Sequence, residues 1–127
     1  MAAHESPSVL VVDDEPHVAW VLRFSLEHEG FHTFTASNGL EALEEVEKHH
    51  PSVMVLDLMM PEMDGWTVME RLRKLPLELR PRVVIVSALT GPEEKAKATE
   101  LGADAFVPKP FDVEELIGVC GGLAKAS

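Results

Sequence analysis

The sequence has no tyrosine, two tryptophans, five phenylalanines and a single cysteine, Cys120. A lone thiol closes no intramolecular disulfide, so the chain is not a cysteine-stapled secreted scaffold, and it fits a reducing compartment. No apolar run nears the roughly 18 residues that span a bilayer. The opening stretch, Met-Ala-Ala-His-Glu-Ser-Pro-Ser, carries neither the basic nor the apolar region of a signal peptide. The expected location is the cytoplasm, with no membrane association. Bases are scarce as well: 11 Lys and Arg stand against 22 Asp and Glu, a net charge of −11. A surface of that sign repels phosphate backbones and argues against direct nucleic-acid binding. Five of the bases, Arg71, Arg73, Lys74, Arg80 and Arg82, cluster in one short region. They read as cations at a helix C-terminus followed by a solvated loop. No repeat, low-complexity tract or linker interrupts the 127 residues. One domain is therefore expected, over residues 8–125 behind an N-terminal extension of residues 1–7.

What is present is a set of short apolar runs ending in polar residues. Val53-Met-Val-Leu56 is apolar throughout, as a strand buried on both faces would be, and it ends in Asp57. Pro61 and Gly65 then turn the chain before an amphipathic segment from about Trp66 to Leu75, with Met69 and Leu72 inward. Upstream, Ser8 to Val12 is a similar strand ending in Asp13-Asp14-Glu15, and Pro16 suits the first turn of a helix. That helix carries Val18, Val21, Leu22 and Leu26 and stops at Gly30. Phe31 to Ala36 reads as strand two. Asn38 with Glu41 forms a capping box for a helix whose stripe includes Leu40, Leu43 and Val46. His49-His50 lacks partnering ligands and reads as that helix's exposed end. Pro76 and Pro81 bracket a loop containing Leu77 and Leu79, to which no role is assigned.

Arg82 to Val86 is the fourth strand, ending at Ser87-Ala88. Thr90-Gly-Pro-Glu93 has the spacing of another capping box, and Gly102 closes the helix it opens. Ala105 to Val107 is a fifth strand, followed by Lys109-Pro110-Phe111. Asp112 caps a last helix bearing Val113, Leu116, Ile117, Cys120 and Leu123. Strands alternating with helices at this spacing mean βαβ units, a parallel sheet and an α/β class.

In such a sheet every strand-to-helix loop opens on one edge, where ligand sites collect. Asp13, Asp14, Asp57, Ser87 and Lys109 all fall on that edge. Taken singly they are a helix-capping pair, a turn opener, a turn hydroxyl and a surface cation; taken together they make a chemical site. Three carboxylates within a few ångströms need a compensating cation, and hard oxygen ligands suit Mg²⁺ or Mn²⁺. A lysine and a hydroxyl across the same cleft supply what phosphoryl chemistry further needs. With Asp57 as nucleophile the product is an aspartyl phosphate.

Four stretches carry a family likeness: Val11-Val-Asp-Asp-Glu15, Asp57-Leu-Met-Met-Pro-Glu-Met-Asp-Gly65, Val86-Ser-Ala88 and Gly102-Ala-Asp-Ala-Phe-Val-Pro-Lys-Pro-Phe111. Together they resemble the receiver domain of bacterial two-component response regulators, chemotaxis regulators included, from Ser8 to Leu123. The resemblance implies a flavodoxin-like (βα)5 sandwich with a five-stranded parallel sheet of order 2-1-3-4-5. It implies that Asp57 accepts a phosphoryl group from a phosphohistidine on a sensor histidine kinase or histidine phosphotransfer protein. Asp14, Asp57 and the backbone carbonyl of Met59 would ligate Mg²⁺, with Asp13 acting through water. Lys109 would pair with Asp57 and then with the phosphoryl group, its loop held by a cis bond to Pro110. Ser87 and Phe106 would be the switch pair. Phe106 departs from the commoner tyrosine and offers no hydroxyl to a partner. Met59 and Leu89 are apolar where a polar side chain could orient the attacking water, which predicts slow self-dephosphorylation.

The implied role is a phosphoacceptor signalling domain, not an enzyme on other substrates. A haloacid-dehalogenase-like phosphatase uses similar chemistry, but its second acid position is Met59 here. A nucleotide- or flavin-binding module shares the fold, yet no glycine-rich phosphate loop follows the first strand. Only Ala-Lys-Ala-Ser127 follows the last helix, so the preferred expectation is a stand-alone regulator. It would dock a downstream protein through the face made by the fourth helix, fifth strand and last helix. The alternative is a receiver domain excised from a larger regulator with a DNA-binding or enzymatic output. The last helix lacks the arginines of charged receiver dimers in the winged-helix subfamily. It holds Gly118, Gly121 and Gly122 instead, each costing a helix roughly 1 kcal/mol.

Overall fold

The computed structural model describes residues 7–60 and 63–126, the side chain of residue 126 excepted. Residues 1–6 of the expected extension, and Pro61 of the expected turn, lie outside them. Five parallel strands, β1 (Ser8–Val12), β2 (His32–Ala36), β3 (Val53–Asp57), β4 (Arg82–Ser87) and β5 (Ala105–Pro108), form one sheet of order β2-β1-β3-β4-β5. The helices are α1 (Pro16–His28), α2 (Gly39–His49), α3 (Gly65–Leu72), α4 (Pro92–Glu100) and α5 (Val113–Ala126). The α/β class and strand order are those expected.

The apolar strand runs are explained by burial on both faces. Leu10, Val12, Met54, Leu56, Val83 and Ile85 point into a core covered by Ala42 and Val46 of α2 and by Val68, Met69 and Leu72 of α3. Their chain neighbours Val9, Val11, Val53, Val55, Val84 and Val86 point the other way, onto Leu22 and Leu26 of α1 and Leu116 and Cys120 of α5. The two-residue strand period thus feeds two cores, and the sheet is the middle layer of three. Cys120 is fully buried, and loss of solvation pushes its thiol up to about 12, so it is inert.

Several local expectations are corrected. In α2 the buried positions are Gly39, Ala42 and Val46, while Leu40 is 56% exposed. The capping box holds: Glu41 N–H donates to Asn38 Oδ1 at 2.9 Å, and the Glu41 carboxylate accepts from Ser37 N–H at 3.1 Å. His49 is not a bare helix end, since its ring stacks on Phe34 with centroids 3.9 Å apart and its Nε2 lies 3.1 Å from Glu45 Oε2. α3 stops at Leu72, short of the expected Leu75. Arg80 reaches back to donate to Leu75 O at 2.8 Å and Arg73 O at 2.6 Å, satisfying carbonyls just past the helix end. The Pro-bracketed loop contains a short 3₁₀ turn, Leu77–Leu79. Thr90 does not cap α4; its N-cap is Gly91, with no side-chain hydrogen bond.

Candidate functional site

Asp13 follows β1, Asp57 ends β3, Ser87 ends β4 and Lys109 follows β5, so the parallel register carries all four to the carboxyl edge of the sheet. Ser87 lies opposite Pro108, and Lys109 N–H donates to Ser87 O at 2.9 Å. Lys109 is thereby aimed across β4 toward β3. The Lys109-Pro110 bond is cis, as the resemblance implied.

The geometry brings Asp13, Asp14, Asp57 and Lys109 together. Lys109 Nζ lies 3.1 Å from Asp57 Oδ2 and 3.6 Å from Asp13 Oδ2. Asp57 Oδ1 accepts from Met59 N–H at 3.0 Å, and Asp13 Oδ1 accepts from Glu15 N–H at 2.9 Å. Asp13, Asp14 and Asp57 each offer a carboxylate oxygen, all within 4.8 Å of one another; Asp13 and Asp57 are buried, and Asp14 is exposed. Ser87 is fully buried, and its Oγ accepts from Leu89 N–H at 3.0 Å. Phe106 is half-buried on β5, in register with Ile85 of β4.

The electrostatics are under-compensated. Burial first, with the charges of Asp57 and Asp14 adding to it, holds the Asp13 carboxyl above its ordinary value; the Glu15 N–H and Lys109 oppose this without cancelling it. For Lys109, burial alone would lower the ammonium's value. The hydrogen bond to Asp57 and the charges of Asp57, Asp13 and Glu15 outweigh burial, and the net shift is upward. One ammonium among three carboxylates leaves room for a further cation, and an all-oxygen donor set is the kind a hard divalent ion takes.

Two contributors were missed in the sequence. Glu15 adds to the field on Lys109 and shapes Asp13 through its backbone. Gly65 was read as a turn residue, but it opens α3 against the strand end. A Cβ there would meet Asp57 O and Leu58 Cα, each at 2.8 Å. The run Asp57 to Gly65 held the signal: a glycine where the helix must touch the strand's backbone.

The family described as "Response regulator receiver domain" matches residues 9–120. Transcriptional regulatory protein KdpE of Mycobacterium tuberculosis is 40% identical over 109 residues, which is 86% of this chain and 47% of that protein. Alkaline phosphatase synthesis transcriptional regulatory protein PhoP of Bacillus subtilis is 38% identical over 108 residues, 85% of this chain and 44% of that protein. The chain therefore spans a little under half the length of these curated relatives. Among solved structures, the Francisella response regulator 1452 receiver domain superposes with a TM-score of 0.88 at 36% identity, covering 95% of this chain and 98% of that one. The Vibrio cholerae chemotaxis protein CheY4 gives 0.86 at 27% identity, covering 93% and 98%. Profile, relatives and fold agree: this chain belongs to the response regulator receiver domains of two-component signalling.

Proposed function

We propose that Asp57 is the phosphoacceptor and that its donor is a phosphohistidine on a sensor histidine kinase or a histidine phosphotransfer protein. The observation that carries this reading is Lys109 Nζ lying 3.1 Å from Asp57 Oδ2. A carboxylate that must become an acyl phosphate needs a cation in place for charge that is still to arrive. An oxygen of Asp57 attacks phosphorus and forms a P–O bond as the P–N bond breaks. The imidazole nitrogen leaves with the bonding pair and takes a proton from solvent. Lys109 then neutralises a phosphoryl oxygen. The Ser87 hydroxyl, whose oxygen already accepts from Leu89 N–H, still has its proton to donate to another phosphoryl oxygen. As Ser87 shifts, Phe106 turns into the space beside it.

Asp14, Asp57 and the Met59 carbonyl, with Asp13 through water, are the groups to hold Mg²⁺, or Mn²⁺ in its place. When bound, that ion supplies charge neutralisation for the phosphoryl oxygens. The chain acts on its own Asp57 and turns over no other substrate. Its output is a change in the α4–β5–α5 face, read by a downstream protein in the cytoplasm. The relatives' greater length and their transcriptional names favour a second reading of the output, in which that face works on a DNA-binding or enzymatic partner domain. The complete reading frame separates this from the stand-alone regulator.

The test is intact mass after incubation with Mg²⁺ and acetyl phosphate. Wild type is expected to gain one phosphoryl group, and Asp57→Asn none. Phosphate released catalytically from many small esters, with no mass gain, would favour the phosphatase reading instead.

A further inference from the structure

α4 is the least anchored of the helices. Its buried residue is Ala98, whereas α2 and α3 bury three and four residues. Its N-cap, Gly91, makes no side-chain hydrogen bond, while Asn38 and Asp64 cap α2 and α3. Alanine brings little apolar area, so something else must hold this helix on the sheet.

Two lysines do so. Lys97 Nζ stands 4.5 Å from the centroid of the Trp66 ring, and Lys95 Nζ stands 6.0 Å from that of Phe106. Residues two apart on a helix face different sides, so one lysine reaches toward α3 and the other toward β5. Among the described residues neither forms an ion pair with Glu93, Glu94 or Glu100 of the same helix. Both rings belong to the site's surroundings. Trp66 follows Gly65, which rests on the backbone of Asp57 and Leu58. Phe106 packs half-buried beside Ile85. Between the site and α4 runs the segment whose Leu89 N–H donates to Ser87 Oγ. Lys95 thus touches one member of the expected switch pair, and Lys97 touches the residue next to the glycine seated on Asp57.

We infer that Lys97 on Trp66 and Lys95 on Phe106 clasp α4 in its resting position, and that this clasp restrains phosphoryl uptake at Asp57. The inference rests on the phosphoacceptor reading of Asp57 and adds to it a restraint on α3 and α4 that the acidic site does not itself require.

The test follows acetyl phosphate-driven mass gain in Mg²⁺ for wild type, Lys97→Gln, Lys97→Arg and Trp66→Leu, with amide hydrogen exchange on each. Opening one exposed cation–ring contact should speed phosphorylation about two- to fivefold. It should also speed exchange in α4 while leaving β1 and β3 unchanged. Lys97→Arg should behave as wild type. Lys97→Gln combined with Trp66→Leu should be no faster than either alone, because both remove one contact. A wild-type chain that gains no phosphoryl group would defeat the Asp57 reading and this inference with it. A wild-type chain that gains one, while Lys97→Gln gains it no faster, overturns the clasp alone.

Discussion

The ammonium nitrogen of Lys109 lies 3.1 Å from Asp57 Oδ2, although 52 positions separate the two residues in the chain. Their meeting is a product of strand order: β4 pairs with both β3 and β5, so the residue after β5 needs only to lean across one strand. The pair offers a cation to a carboxylate that already accepts a backbone N–H on its other oxygen.

If that cation serves the arriving charge, Lys109→Met should lower the rate of phosphoryl uptake about a hundredfold, the scale of losing one preorganised electrostatic contact. Binding of Mg²⁺, with one less competing cation, should be no weaker. Uptake at the wild-type rate in Lys109→Met would remove the lysine from the account.

Asp13 carries the pH dependence. Its carboxyl is held above its ordinary 3.8, chiefly by burial. A raised folded-state value contributes stability that is present in acid and lost as pH rises through that value. Without divalent ions, Asp13→Asn should match wild type at the acid end and become the more stable chain as pH climbs through the window above 3.8. Urea unfolding across that range reads the difference, and a gap that instead opens as pH falls contradicts the sign.

Mg²⁺ should relieve the same repulsion. At a hundredfold excess over Kd, wild type should gain about 2.7 kcal/mol of unfolding free energy. Asp13→Asn should gain less. Identical melting in Mg²⁺ and in chelator would argue that the carboxylate cluster holds no ion.

These groups were legible in the sequence for a physical reason. A strand buried on both faces is a continuous apolar run, and a carboxylate or lysine at its end is visible wherever the run stops. Topology then places every such end on one edge, so Asp13, Asp57, Ser87 and Lys109 could be grouped before any coordinate. What was not legible depends on contacts made at a distance. α3 ends at Leu72, and Arg80 returns to the carbonyls of Arg73 and Leu75 just past that end. Leu40 is exposed because α2 presents Ala42 and Val46 to the core. His49 is held by Phe34, a strand residue. Periodicity reports which residues share a face, but not which neighbour arrives to cover it.

Gly65 illustrates the same limit and is testable. A methyl group there meets the backbone of Asp57 and Leu58 at 2.8 Å, where neither can yield cheaply. Gly65→Ala should cost about 1–3 kcal/mol in urea unfolding. It should also slow phosphoryl uptake, because the displaced backbone carries the acceptor. An unchanged midpoint would show that the α3 start moves freely.

Met59, whose N–H donates to Asp57, is 60% exposed, and Leu89, whose N–H donates to Ser87, is 43% exposed; neither side chain can hold a water by hydrogen bonds. The phosphorylated chain should therefore persist for minutes or longer in Mg²⁺, and Met59→Asn should shorten that lifetime severalfold. Loss of the group within seconds in wild type would contradict the assignment.

The most direct measurement is chemical trapping of the acceptor. After phosphorylation by acetyl phosphate in Mg²⁺, borohydride reduces an acyl phosphate to an alcohol, and peptide mapping finds the converted residue. Conversion of Asp57 to homoserine, absent when phosphodonor or Mg²⁺ is omitted, is the predicted result. Conversion at another acid, or a phosphoryl group that survives borohydride as a stable ester on a hydroxyl, would contradict the account.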